Sequence, residues 1–156
     1  MDNKEAMIIS SLRQNSREKL TTLSRKTGTP VSTIYERIKR QQQSIIRKFT
    51  ALLNFSNMGY GCRANICIRA RKENREELKE YLMKHPNINS MYKINNGFDF
   101  LLEVVFRDIS EMEDFLETVD ERFKLKEKQV YYIIDDIVRE NFMTQPEFNE
   151  ILSKTY

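Results

Sequence analysis

The chain has no tryptophan, a single histidine (His85), two cysteines (Cys62 and Cys67), four glycines and three prolines in 156 residues. Each shortage removes a class of function. One His and two Cys are too few for a Cys/His zinc site within one chain, and they give no Cys–His nucleophile of plausible spacing. The cysteines lie five apart in a strand-like stretch, so they point to opposite faces and do not bridge. The reducing cytoplasm is the expected compartment. No apolar run approaches the ~20 residues that cross a bilayer. Met-Asp-Asn-Lys-Glu is not a signal peptide, so no membrane partner is expected. With 40% hydrophobic and 31% charged residues, the chain reads as globular, in one compact domain or two small ones. No cofactor or metal is called for.

The net charge of +3 conceals a division. Residues 1–50 hold eleven Lys/Arg against four Asp/Glu, a net of +7, and the other 106 residues carry 15 basic against 19 acidic groups, or −4. A basic head on an acidic body is the electrostatic footprint of a polyanion-binding segment; a solvated basic face gives the same count.

Within the head, Ile8, Ile9 and Leu12 form a short helical stripe that ends before Asn15-Ser16. Leu20 and Leu23 supply a second, stopped at Gly28, a residue suited to a helix C-terminus. Thr29-Pro30 restarts the chain, and Val31, Ile34 and Ile38 recur at i, i+3 and i+7. Three short helices with a Gly-containing turn before the third make a helix-turn-helix. With Val31, Ile34 and Ile38 inward, the opposite side carries Ser32, Thr33, Glu36, Arg37, Lys39 and Arg40. Ser32 and Thr33 are short donors at the helix N-terminus, where a recognition helix meets base edges. Arg37, Lys39 and Arg40 suit flanking phosphates. Tyr35 either packs beside Ile38 or lies over a sugar.

From Gly59 the period becomes two. Residues 62–70 alternate apolar and polar as a half-buried strand. A helix follows through Leu78, Tyr81 and Leu82, ended by Pro86. Ile88, Ser90, Tyr92 and Ile94 form one face of a second strand. Asn96-Gly97 is a hairpin signal, and Phe98 to Phe106 is the third strand. Asp108 caps a helix through Met112, Phe115, Leu116, Val119 and Phe123. Val130 to Val138 is the fourth strand. The fold class is α+β: a helix-turn-helix domain (1–44), a connecting strand or linker (45–57), a ferredoxin-like βαββαβ domain (58–140) and a C-terminal helical extension (141–156). The sheet face away from the helices would show Asp99, Leu101, Glu103 and Val105, joined by Met91, Tyr131, Ile133 and Ile137. Such an apolar face calls for a second subunit packed sheet to sheet.

Gly28-Thr29-Pro30-Val31-Ser32-Thr33-Ile34-Tyr35-Glu36-Arg37-Ile38 and Asn96-Gly97-Phe98-Asp99-Phe100, in this order with a connecting strand near 45–53, resemble the Lrp/AsnC family of leucine-responsive transcription regulators. Similarity in order and spacing runs over about residues 5–140. The resemblance implies a sequence-specific, double-stranded-DNA-binding transcription regulator with a RAM/ACT-like C-terminal domain. It implies homodimers, often assembled into tetramers or octamers, with DNA wrapped or bent by several heads. An amino-acid effector between subunits is implied as well. Carried over, Ser32, Thr33, Tyr35, Glu36, Arg37, Lys39 and Arg40 belong to the DNA-contacting helix, and Gly97 and Asp99 line the effector site. A second role for Asp99 is to cap the Asn96-Gly97 hairpin.

Three other readings stand beside this one. A DNA-architectural protein without effector would share the basic head. An RNA-recognition motif has the same βαββαβ order, with Phe98 and Phe100 stacking bases; Asp99, Glu103 and the net negative domain oppose it. An enzyme lacks its chemistry here: Asp135-Asp136 and Glu76-Glu77 are sequence neighbours that turn to different faces. His85, beside Pro86 at a helix end, reads as a favourable helix-terminus charge. In the tail, Thr144-Gln145-Pro146-Glu147 has capping-box spacing, and Phe148, Ile151 and Leu152 form a stripe that packs on its own or a neighbouring subunit.

Overall fold

The computed structural model describes residues 2–145. These fall into two compact units: one holds residues 2–52 together with 137–145, the other is Leu53–Asp136.

The first unit is a three-helix head, α1 (Asn3–Gln14), α2 (Leu20–Thr27) and α3 (Val31–Gln41). Its core is Ile8, Leu23 and Ile34, with Leu12, Leu20 and Ile38 packed around it. Gly28 closes α2 at φ +58°, in the left-handed region where a Cβ is costly. Pro30 stands at the N-cap of α3 with φ −55°, which its ring imposes. The inward stripe of α3 lies one turn later than its sequence suggests. Val31 is 39% exposed while Gln41 is buried. Helical side chains lean toward the N-terminus, so a first-turn residue overhangs the helix end instead of its neighbours. Residues 46–54, in the expected connecting strand or linker, pair with no strand of this chain. A strand needs a hydrogen-bonded neighbour, and Ile45, Phe49, Leu52 and Leu53 are exposed instead.

The second unit has the expected βαββαβ order: β1 (Cys62–Arg69), α4 (Arg75–Lys84), β2 (Ile88–Lys93), β3 (Phe100–Phe106), α5 (Ile109–Phe123) and β4 (Glu127–Tyr132). The strands lie β2-β3-β1-β4, all neighbours antiparallel. Ala64, Ile66 and Ile68 of β1 and Phe100, Leu102, Val104 and Phe106 of β3 bury one face against Leu78 and Leu82 of α4 and Met112, Phe115, Leu116 and Val119 of α5. Cys62 shares that face and Cys67 does not; both thiols are free. Burial pushes the Cys62 thiol up, away from reactivity.

Two details of the sheet depart from strict alternation. A bulge between Ile88 and Ser90 sets Ile88 opposite Val104 but Ser90 opposite Glu103. Ile88 and Met91 therefore pack on the helix-side core, and Ser90 and Tyr92 point the other way, because one extra residue inverts everything beyond it. The fourth strand ends at Tyr132, six residues short of Val138, and its last ladder bond runs from the Ile133 N–H to the Arg63 carbonyl. Ile137 consequently lies outside the sheet. The expected C-terminal helix lies largely outside the described residues, and residues 141–145 form a turn.

Candidate nucleic-acid interface and effector cleft

In the head, α3 presents Ser32, Thr33, Tyr35, Glu36, Lys39 and Arg40 to solvent, with Arg37 half-buried. Tyr35 is 54% exposed. Two of these cations are engaged by α1. Arg37 Nη1 donates to both carboxylate oxygens of Asp2, at 3.0 and 2.8 Å, and Arg40 Nη2 donates to Glu5 Oε1. Asp2 and Glu5 also close the N-terminus of α1 as a capping box: the Glu5 N–H donates to Asp2 Oδ1 at 2.7 Å and the Asp2 N–H to Glu5 Oε2 at 3.2 Å. The Glu5 N–H, with the Arg37 guanidinium behind it, holds the Asp2 carboxyl below its usual range. The spacing of Asp2 and Glu5, Asp-x-x-Glu ahead of an apolar run, was the readable signal for this box. Nothing in the spacing says that its acids also meet α3.

The chain after Ile137 returns to the head. Arg13 near the end of α1 donates from Nη1 to the Glu140 carboxylate at 2.9 Å, from Nη2 to the Glu140 carbonyl at 2.8 Å and from Nε to the Phe142 carbonyl at 3.1 Å. Gln14 Nε2 donates to the Thr144 carbonyl. No sequence pattern announces a contact across so many residues.

In the sheet unit, Asn96 (φ +59°) and Gly97 (φ +89°) make the hairpin turn, the left-handed pair that the twist of the strands favours. Gly97 shapes the turn and is exposed. Asp99 does not cap it. Its Oδ2 accepts from the Ala70 N–H at 2.9 Å and its Oδ1 pairs with Arg75 Nη2 at 2.9 Å, which fastens the hairpin to the end of β1 and the start of α4. Beside this fastening is a cleft of about 280 Å³. Arg75, Lys79 and Lys93 line it with charge, Met83, Met91 and Phe100 with apolar surface, and Asp99 and Glu76 complete it. The Arg75 Nε is buried and has no hydrogen-bond partner. The site can take a small anion with an apolar body, the anion on the cations and the body on the thioethers and ring.

The sheet face away from the helices is more polar than its sequence suggests. Arg63 crosses it, pairing with Glu103 at 2.9 Å and Asp136 at 2.7 Å, and lies 5.3 Å from the Phe55 ring centroid. Val105 is already buried at 8% exposure, while Tyr92 and Tyr131 stand 56% and 55% exposed. Phe100 is buried on the helix side and Phe98 is half-buried, so they offer no pair of open rings for stacking bases. His85 stands at the C-terminal cap of α4. Its ring lies 4.6 Å from Phe115 and 5.8 Å from Tyr81, its Nδ1 accepts from the Asn87 N–H at 3.3 Å, and burial lowers its pKa. The accepted bond and the burial both disfavour the charge expected of it at the helix end. Among the described residues, no three His, Cys, Asp or Glu side chains gather to hold a metal ion, and no helix is long and apolar enough to cross a membrane.

Comparison with known proteins agrees with this geometry. Residues 63–143, more than half of the chain, match the family described as the Lrp/AsnC ligand binding domain. The HTH-type transcriptional regulator FL11 of Pyrococcus furiosus is 32% identical over 120 residues, covering 76% of this chain and 80% of that one. A further HTH-type transcriptional regulator of the same organism is 27% identical over 147 residues, 94% of this chain and 99% of its own. Among solved structures, a transcriptional regulator from Neisseria meningitidis in complex with L-Met superposes with a TM-score of 0.82 at 23% identity, covering 89% of this chain and 93% of that one. Bacillus subtilis LrpC gives 0.80 at 21% identity, with 88% and 97% covered. With a basic helix-turn-helix head and a matched ligand-binding domain, this chain is a DNA-binding transcription regulator and belongs to the Lrp/AsnC family.

Proposed function

We propose that the protein is a cytoplasmic, dimer-based regulator that reads a specific duplex sequence with α3 and is modulated by a small amino-acid-like effector in the sheet unit. The observation that carries the reading is the exposed polar side of α3 on a head of net charge +7. In it, Ser32 and Thr33 meet base edges, while Arg37, Lys39 and Arg40 meet phosphates. Tyr35 and Glu36 lie on the same exposed side. Residues 1–44 serve as the DNA-binding domain and 58–140 as the oligomerisation and effector domain.

Pairing of two sheet faces through Tyr92, Leu101 and Tyr131 gives a two-fold dimer, and a two-fold axis sets two recognition helices about one DNA turn apart. Dimers assembling further, to tetramers or octamers, would add heads along a bent site. For the effector, the cleft beside Asp99 supplies cations for a carboxylate and thioethers for an apolar side chain; the bound L-Met in the Neisseria structure is a ligand of that kind. Asp99 holds Arg75 in the cleft wall, and Gly97 holds the hairpin's turn.

The test is duplex binding followed by fluorescence anisotropy, with Thr33→Ala and Lys39→Ala compared on matched and mismatched sites. Thr33→Ala is expected to reduce discrimination by about 1 kcal/mol or more. Lys39→Ala is expected to weaken all sequences alike and lower the salt slope by about 0.9. The reverse pattern would overturn the assignment of roles.

A further inference from the structure

The two carboxylates that cap α1 are also the partners of two cations on α3. Asp2 meets Arg37 and Glu5 meets Arg40. Asp2 and Glu5 are three residues apart on one helix start, and Arg37 and Arg40 are three apart on the other helix. One turn of α1 is thus matched to one turn of α3, and both pairs form together. A carboxylate offers a guanidinium the same forked pair of oxygens that a phosphate does. Each pair has a partner open to water, with Asp2 54% and Arg40 65% exposed at the side chain. Pairs this open hold a fold together only weakly, so they can be displaced. Lys39, between the two arginines, is exposed.

We propose that Asp2 and Glu5 are an internal counter-anion for α3, occupying Arg37 and Arg40 in place of DNA phosphate and so weakening the hold on any duplex that does not supply enough contacts to displace them. The inference rests on reading α3 as the DNA-contacting helix. Its partner is the phosphate backbone, and its consequence is selectivity. A matched site repays the exchange through base contacts, whereas a random sequence cannot, so the acids lower the background more than the specific complex.

The experiment uses the full chain and a random-sequence duplex titrated across salt. Asp2→Asn with Glu5→Gln keeps hydrogen-bonding groups at the α1 cap and removes both charges. Freeing two cations makes the log–log salt slope steeper by about 1.8. The variant binds more tightly at low salt, and its advantage falls about tenfold between roughly 50 and 200 mM. Glu5→Gln alone keeps the Asp2 cap and is expected to give about half the change in slope. The same double substitution in an Arg37→Ala, Arg40→Ala background is expected to bring no gain. A gain that persists there would be a general effect of net charge and would overturn the proposal. So would unchanged or weaker binding by a variant whose circular dichroism is that of the folded parent. If Arg37→Ala with Arg40→Ala leaves duplex binding intact, the reading of α3 itself fails, which is a separate result from failure of the counter-anion.

Discussion

Replacing Leu23 by alanine strikes the head at its centre and leaves the sheet unit's core untouched. Leu23 is fully buried, in a cluster with Ile8 and Ile34 that shares no residue with the core of the sheet unit. The substitution removes three carbons, worth about 2.4 kcal/mol at ~0.8 per methylene, and the cavity left behind raises the cost to about 3–4 kcal/mol. A unit of this size has a total stability of roughly 3–9 kcal/mol at ~0.05–0.15 per residue. The loss therefore consumes a large share of it. Urea denaturation followed by helix-sensitive circular dichroism, with one-dimensional NMR of sheet-unit methyl groups in parallel, is expected to show an early transition in the variant. Duplex binding is lost in that range while the sheet-unit signals persist. A transition that shifts for all probes together would mean that the two clusters are energetically one. No shift at all would refute the packing argument.

Three further outcomes follow from the sheet unit. His85 has its pKa lowered by burial, so the folded chain disfavours the proton that the unfolded chain accepts near pH ~6.5. Its contribution is complete above that pH and is lost as pH falls below it, toward the folded value. The drop in Tm on acidification across this window is expected to be smaller in His85→Asn, and an equal drop would show that the ring does not carry it. Asp99→Ala strips the Ala70 N–H and Arg75 of their shared acceptor. A cost of about 1–3 kcal/mol is expected in thermal melts, near the low end because Arg75 is partly open to water, with faster amide exchange in the 94–99 hairpin. Tyr92→Glu with Tyr131→Glu places charge on the exposed sheet face and is expected to give monomers by light scattering with the melting of the fold retained. Dimers that survive it would place the interface elsewhere.

Much of the architecture was legible because it rests on local rules. The alternation of β1 and β3, the left-handed Gly28 and the Asn96-Gly97 turn each state their own geometry within a few residues. The features that sequence did not disclose are those where a distant partner or one extra residue decides. The bulge at Asn89 turned Met91 to the helix side, where Ile88 already packs, and sent Ser90 and Tyr92 the other way, and no residue type there advertises it. β4 stopped at Tyr132 although Ile133, Ile134, Ile137 and Val138 are all β-formers, since propensity does not say where the chain leaves its neighbour. At the candidate site, the exposure of Ser32, Thr33 and Lys39 followed from helical phase. The engagement of Arg37 and Arg40 by Asp2 and Glu5, and of Asp99 by Arg75, did not, because ion pairs between elements depend on how helices and strands meet. Val31 shows the limit of phase itself, as a residue on the inward stripe that overhangs the helix end.

The central claim, that α3 reads duplex sequence from a two-fold assembly, is tested most directly by selecting binders from random duplex DNA and sequencing them at two salt concentrations. The account predicts a two-fold-symmetric motif with half-sites about ten base pairs apart, recovered at both salts, with total binding falling steeply as salt rises. Salt-sensitive binding without any motif would contradict sequence reading by α3, and an absence of binding would contradict the account altogether.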